Sequence, residues 1–402
     1  MISLDATDDT DVDFLMELPC FSSLCRQGTL VREVNSVLVS NTYVVHSSII
    51  TGTYPFRHGI TENLLTQPGK KHPDWHWNAA DVHAPALYNK AADAGLSVCS
   101  IFYPVTCGAR IRWNFPEVPG ELSLFRRAVK LFAGGSPGFI LSSLFHGAKQ
   151  LHHLTEPYLD NFTTKVACRA IRQKEPDLLL LHLIDVDDHK HRFGPGSPQV
   201  KDALRRLDAR LNQLLDAATR TWKNDDICFL IFSDHGCLKV NEAADPNDWL
   251  KMAGLIRGDG RQPEEYDAFF HNAGGTTFLK LLNPAKRAVV LQILSDFLNH
   301  PSAGRRLSEK EMQLSGMAGS FLCGIEAADG YCFGEAVRGQ HGYGLQRKGY
   351  HPFYLAAGAG IVPGRVIKGG SVMDLCPLAA DLLGIPLWEM DGTDKVMEGV
   401  KP

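Results

Sequence analysis

No apolar run in this chain approaches the roughly 20 residues that a membrane-crossing helix needs, and no basic start followed by an apolar stretch opens it. A cytoplasmic protein without a membrane partner is therefore expected. An excess of positive charge is missing too: 41 Lys and Arg stand against 45 Asp and Glu, for a formal net charge of -4. Without a broad basic field, a nucleic-acid duplex is not an expected partner, and a small anionic substrate would need local positive charge instead. The ten cysteines form no CxxC pair, and several sit in apolar runs such as ICFLIF, so they read as reduced, mostly buried thiols. Internal repeats and low-complexity segments are absent. What remains is an ordinary globular composition, 44% hydrophobic and 21% charged over 402 residues. That length suits one large α/β domain with insertions, or two domains; it carries no trace of oligomeric state.

Along the chain, short apolar runs alternate with helical patterns. MISL (1–4) reads as a short strand, and Pro19 and Gly28 mark the start and stop of a helix. Leu30–Val39 is strand-like, and a helix is expected to begin near His46. ALYNKAADAG (86–95) is a helix leading into the strand LSVCSIFYP, and DLLLLHLI (177–184) has the continuous apolar character of a strand covered on both faces. Val200, Leu204, Leu207, Leu211, Leu215 and Ala218 fall on one helical face before the next strand, ICFLIF (227–232). The alternation predicts an α/β fold with a mostly parallel central sheet and helices on both faces, whose ligand site lies beyond the carboxyl ends of the strands. The expected division is a core of residues 1–240 and 336–402, with 115–170 as a helical, cap-like insertion and 241–335 as a smaller α+β subdomain holding the polar loop GRQPEEYD.

The ionisable residues fall where the strands end. Asp5 closes the first strand; Asp185, Asp187 and His191 follow the 177–184 strand in IDVDDHKHRFGP; Asp234 and His235 follow ICFLIF in SDHG; His341 lies in GQHGYG, ahead of FYLAAGAG. Four segments thus deliver carboxylates and imidazoles to one sheet edge. That donor set suits zinc or a similar divalent ion and is large enough for two. Two ions about 4 Å apart can hold the attacking and leaving oxygens of a displacement at phosphorus. Taken singly, an Asp after a strand is often only a helix cap. His46 and His58 read as structural, and Trp75 and Trp77 in HPDWHW as packing groups.

In their order and spacing, the segments MISLDA, NTYVVHSSIITGTYPFRHGITEN, DVDDHKHRFGP, FSDHG and QHGYG resemble the alkaline phosphatase superfamily and, within it, the type I phosphodiesterase/nucleotide pyrophosphatase branch. The resemblance runs from the first strand to the last His motif and is weakest in the two inserted regions. It implies Thr42 as nucleophile and Asn63 as the grip on the phosphoryl oxygen. It further implies Asp187, His191 and His341 as ligands of one metal, with Asp5, Asp234, His235 and the Thr42 oxygen as ligands of the other. Here Val44 and Val45 replace the family's Pro and Asn, and Lys190 stands where the family often has Gly.

A threonine hydroxyl is a poor nucleophile at neutral pH, but a divalent cation favours its alkoxide as it does that of bound water. In-line attack would give a phosphothreonine, with Asn63 and a backbone N–H near Thr42 stabilising the non-bridging oxygens. Two divalent ions are expected, Zn2+ first and Mn2+ as the alternative. The expected substrate is a small phosphate ester or nucleotide. No Cys/Ser-x-Pro-x-Arg segment of the sulfatase kind occupies the Thr42 position, and Tyr43 and Val44, not an arginine, follow the nucleophile, which favours a diester or pyrophosphate over a dianionic monoester. A phosphonate, with Lys70 and Lys71 meeting its carboxylate, and a phosphomonoester are the alternatives within enzymes. A metal-stabilised binding protein on the same scaffold is the alternative outside them.

Overall fold

The computed structural model describes residues 1–396 apart from 71, 152 and 259–264. Its centre is an eight-stranded sheet. In chain order the first six strands are β1 (Ile2–Leu4), β2 (Gly28–Arg32), β3 (Val98–Ile101), β4 (Trp113–Phe115), β5 (Leu178–Leu183) and β6 (Cys228–Phe232), followed by Tyr354–Gly358 and Arg365–Lys368. Across the sheet the order is Arg365–Lys368, β2, Tyr354–Gly358, β6, β1, β5, β3, β4. Every neighbouring pair is parallel except the two made by Tyr354–Gly358, which runs against both β2 and β6. This is the predicted α/β architecture, a mixed sheet with one strand reversed.

Side chains that alternate along each strand feed two cores. Leu181 and Leu183 of β5 pack with the helices Pro19–Arg26, Tyr158–Lys174 and Pro198–Thr221 on one face. Leu178 and Leu180 pack with Thr42–Thr51, Leu87–Asp93 and Leu375–Leu382 on the other. Each such fully buried Leu stabilises the fold by about 1.5–3 kcal/mol relative to exposure. The long helix Pro198–Thr221 starts with Ser197 accepting from the Val200 N–H and with Pro198 in its first turn; Val200, Leu204, Leu207, Leu211 and Ala218 are buried as expected, whereas Leu215 is only half-buried and Leu214 beside it is buried.

Strand β2 is shorter than its β-branched sequence suggests, ending at Arg32. The next helix begins at Thr42, four residues before His46. Val44 and Val45, which replace the Pro and Asn of the resembled pattern, are fully buried in the second core and continue this helix. Within 241–335 lies a separate four-stranded antiparallel sheet, in the order Ala268–Asn272, Thr276–Leu281, Cys323–Ala327, Ala303–Arg306. Its core also takes Tyr343 and Tyr350 from beyond that segment. The GRQPEEYD loop lies largely outside the described residues. The ten cysteines are all free, and only Cys228 is not buried.

Candidate metal centre and nucleophile

Three parallel strands and the reversed one bring the donors together. Asp5 follows β1 and its N–H donates to Leu183 O of the neighbouring β5. Asp187 lies in the first turn of the helix Asp185–Phe193 that follows β5, and Asp234 and His235 follow β6. Because Tyr354–Gly358 runs against its neighbours, the segment upstream of it enters at the carboxyl edge, and His341 arrives beside the others. In a parallel strand the same segment would lie at the opposite edge.

His235 Nε2 is 3.4 Å from Asp5 Oδ1, 3.2 Å from Asp234 Oδ2 and 3.3 Å from Thr42 Oγ1. Asp187, His235 and His341 form a second group, and the His235 and His341 rings stack at 4.1 Å. His191 adjoins it, with Nε2 at 3.3 Å from Asp187 Oδ1 and its ring 5.0 Å from that of His341. In each histidine Nδ1 has an oxygen acceptor: Gly236 O for His235, Gly339 O for His191 and Asn41 Oδ1 for His341. A donating Nδ1–H leaves Nε2 with its lone pair toward the cluster, the form a metal ligand requires.

The oxygens are oriented in the same way. Asp234 Oδ1 accepts the N–H groups of Ala6 and His235, and Asp5 Oδ2 pairs with His182 Nε2 at 3.1 Å. The other oxygens, Asp5 Oδ1 and Asp234 Oδ2, have no hydrogen-bond partner, nor does Asp187 Oδ1. Among the described residues no Lys or Arg pairs with these three carboxylates. Burial, and then the nearby Asp234, Asp187 and Glu117, push the Asp5 carboxyl well above its usual range. Carboxylates with unused lone pairs and no Lys or Arg beside them call for a cation from outside the chain. The residues present therefore fit divalent ions.

The third acidic group, Glu156, Asp160 and Asp185, is a useful contrast. Arg210 Nη1 lies 2.6 Å from Asp185 Oδ2 and 3.4 Å from Asp160 Oδ2, and Arg206 makes two bonds of 2.8 Å to Asp185. Its counter-charge is built in, so Asp185 belongs to a structural ion network and not to the candidate site. Asp188 pairs with Arg192 on the surface. Lys190, in the Gly position of the resembled pattern, is fully buried, with Nζ at 2.6 Å from both Asp8 and Asp11.

Thr42 is the first residue of its helix, and Gly52, with φ of 69°, ends it. Asn63 comes back to this end: its Oδ1 accepts the Tyr43 N–H at 2.8 Å. That backbone donor, expected near the phosphoryl oxygens, is thus committed to Asn63. Preceding Thr42, Asn41 makes no side-chain cap; its Nδ2 donates to Glu62 Oε1 at 2.6 Å while its Oδ1 receives His341. Glu62 Oε1 also accepts the Asn63 N–H at 2.6 Å, and burial pushes the Glu62 carboxyl up to about 7.

His46 is closed off, with Nδ1 bonded to Thr42 O and Nε2 to Ser3 Oγ, both at 2.7 Å. His58 bonds Ser48 Oγ at 2.8 Å and the Ile60 N–H. Burial lowers both to about 3, so both are neutral. Trp75 packs edge-on against Tyr43 at 5.1 Å, and buried Trp77 donates to Pro119 O. Lys70 pairs with Asp74, and Lys71 lies outside the described residues.

Sequence reasoning missed four neighbours of the site: Asn41, Glu62, His182 and Glu117. Glu117 Oε2 accepts the Tyr43 hydroxyl at 3.1 Å and lies 3.8 Å from His182 Nδ1; burial pushes its carboxyl up to about 8. Only His182 carried a signal, as one imidazole in the run LLLLHL.

With this geometry in hand, the sequence model described as "Type I phosphodiesterase / nucleotide pyrophosphatase" matches residues 1–310. Ectonucleotide pyrophosphatase/phosphodiesterase family member 7 of Rattus norvegicus is 23% identical over 57% of this chain and 47% of its own length. Human family member 5 is 22% identical over 95% of this chain and 74% of its own. The chain spans about half the length of the first-matching curated relatives. Among solved structures, murine ectonucleotide pyrophosphatase/phosphodiesterase 5, as an inactive variant in complex with AMP, superposes with a TM-score of 0.72. It is 17% identical, and the superposition covers 99% of this chain and 98% of that one. The fold is thus shared with that structure.

Proposed function

Because this chain belongs to the type I phosphodiesterase/nucleotide pyrophosphatase family, we propose that it hydrolyses phosphate diesters or nucleotide pyrophosphate bonds, with Thr42 as nucleophile. The observation that carries this reading is the position of Thr42 Oγ1, 3.3 Å from His235 Nε2, which itself lies 3.4 Å from Asp5 Oδ1 and 3.2 Å from Asp234 Oδ2, both without a hydrogen-bond partner. Two divalent ions, Zn2+ or alternatively Mn2+, held by Asp187, His191 and His341 and by Asp5, Asp234, His235 and Thr42, would supply Lewis-acid charge at the attacking and leaving oxygens.

The chain's own residues do the rest. At the first position of its helix, the Thr42 oxygen lies where the backbone dipole favours negative charge. Its attack forms the Oγ1–P bond and breaks the bond from phosphorus to the leaving oxygen, the hydroxyl proton passing to solvent water and the leaving oxygen taking up a proton from it. Water then breaks the Oγ1–P bond of the phosphothreonine and restores the hydroxyl. Both nitrogens of His46 are engaged elsewhere, so it does not serve as the base. Asn63, whose Oδ1 is bound to the Tyr43 N–H, has Nδ2 available for a non-bridging oxygen, a contact of about 3 kcal/mol in comparable oxyanion sites. The AMP held by the murine neighbour supports a nucleotide substrate.

The test compares bis(p-nitrophenyl) phosphate, p-nitrophenyl phosphate, a nucleotide pyrophosphate, phosphonoacetate and p-nitrophenyl sulfate on wild type and Thr42→Ala. The diester or pyrophosphate should turn over fastest, and Thr42→Ala should keep its metal, measured by elemental analysis, while turnover falls to background. A monoester rate above the diester rate would overturn the ranking. Protein that holds no divalent metal and gains no activity from zinc or manganese would overturn the enzymatic reading.

A further inference from the structure

Fifteen large apolar side chains are exposed among the described residues, and six of them fall between positions 124 and 154: Leu124, Phe125, Val129, Leu141, Phe145 and Leu154. One exposed leucine is ordinary, but such a concentration in under a tenth of the chain asks for a covering surface. Five of the six lie on consecutive helices, Leu124–Gly134 and Pro137–Gly147, which touch each other. The second helix is anchored by Phe139 and Ile140 in the main core. Leu141 and Phe145, one turn apart, point away from it, and Phe145 is 80% exposed. On the first helix Leu131 and Phe132 rest against the core, while Leu124, Phe125 and Val129 stay uncovered, Phe125 at 77% exposure.

The charge of this stretch has one sign. From Leu122 to Thr155 there is no Asp or Glu, whereas Arg126, Arg127, Lys130 and Lys149 fall within it, in a chain whose formal net charge is -4. Arg126 and Lys149 are exposed. Arg127 donates to Gly120 O, and Lys130 lies over the Trp77 ring at 4.1 Å. The flanking acids are engaged or covered: Asp74 pairs with Lys70, Glu121 with His72, and Glu156 is buried.

Exposed Phe and Leu set among cations, with no acidic residue between Leu122 and Thr155, match the interface of an anionic lipid bilayer, where apolar side chains enter the acyl boundary and cations meet headgroups. A second copy joined about a two-fold axis would set the same cations against themselves. We propose that the exposed side chains of the helices Leu124–Gly134 and Pro137–Gly147, with Lys149 and Leu154, form a peripheral docking surface for an anionic lipid membrane. It is a surface contact and not a span, since no described helix is long and apolar enough to cross a bilayer. The insertion leaves the core just after Glu117, which touches Tyr43 beside the nucleophile, so docking would hold the rim of the candidate site near the lipid.

The experiment sediments the full chain with vesicles of phosphatidylcholine alone and of an equal mixture of phosphatidylcholine and phosphatidylglycerol. Binding to the mixed vesicles should be about tenfold stronger or more, and should weaken as salt is raised. Phe125→Ser with Phe145→Ser, and separately Arg126→Glu with Lys149→Glu, should abolish it, with circular dichroism and turnover of a soluble diester unchanged. The absence of binding to either vesicle, or equal binding to both, would overturn the proposal. So would a dimer in light scattering that the Phe125→Ser, Phe145→Ser variant dissolves, because that would name a second copy as the occupant.

Discussion

Asn41 occupies a position where a side chain ordinarily caps a helix, a role worth about 1 kcal/mol, yet it makes no cap. Its amide instead joins Glu62, 21 residues away, to His341, 300 residues away. The 2.7 Å contact holds His341 Nδ1–H, and an acceptor at that atom keeps Nε2 directed at Asp187 and His235. Gly342 protects the arrangement: with φ of +81°, a Cβ there would lie 2.1 Å from Ala273 O and 2.9 Å from Asn41 Oδ1. Outer partners of metal-binding histidines commonly change affinity by about 10–100-fold. Asn41→Ala should therefore weaken zinc binding by roughly that factor, measured by chelator competition, with the fold unchanged by circular dichroism. Unaltered zinc affinity would remove Asn41 from the site.

At the scale of elements, the reversed strand Tyr354–Gly358 and the helix Thr42–Thr51 set the geometry. The helix is buried along all ten residues, and His58 clamps it to the following turn through Ser48. This clamp has a pH signature. Burial lowers His58 from 6.5 to about 3, so between those values the unfolded chain binds the proton and the native one does not. The stabilisation from neutral His58 is fully present above about pH 6.5 and is lost as pH falls toward 3, at about 1.4 kcal/mol per pH unit. Denaturant titrations at pH 7 and pH 5 should show this loss, about 2 kcal/mol from His58 itself. His58→Asn should be less stable at pH 7 but lose less between the two. An equal loss in variant and wild type would show that His58 titrates alike in both states.

Across the whole molecule, two buried acidic groups differ in how their charge is met. Asp160 and Asp185 have Arg206 and Arg210. Asp5, Asp187 and Asp234 have only histidines. Filling the second group with a cation should therefore stabilise the entire fold, by about 4 kcal/mol at a thousandfold excess over Kd. Chelator treatment should lower the Tm, and zinc should restore it. A Tm indifferent to both would mean that the carboxylates tolerate their surroundings without an ion.

The sequence by itself determined the α/β class, the strands that Asp5, Asp187 and Asp234 follow, and the long amphipathic helix. Each rests on local periodicity and on the rule that residues after parallel strands gather at one edge. His46 in the helix Thr42–Thr51 and His58 in the turn after it were legible as structural, because a site role needs converging partners and neither had them in the sequence. Tertiary structure alone decided what depends on distant contacts. The reversal of Tyr354–Gly358 brings His341 to the carboxyl edge, the path of the chain sets Asn41 between Glu62 and His341, and Arg210 removes Asp185 from the candidate site. Strand direction, amide orientation and buried charge pairing have no sequence period. They follow from which surfaces close on one another once the two cores have formed.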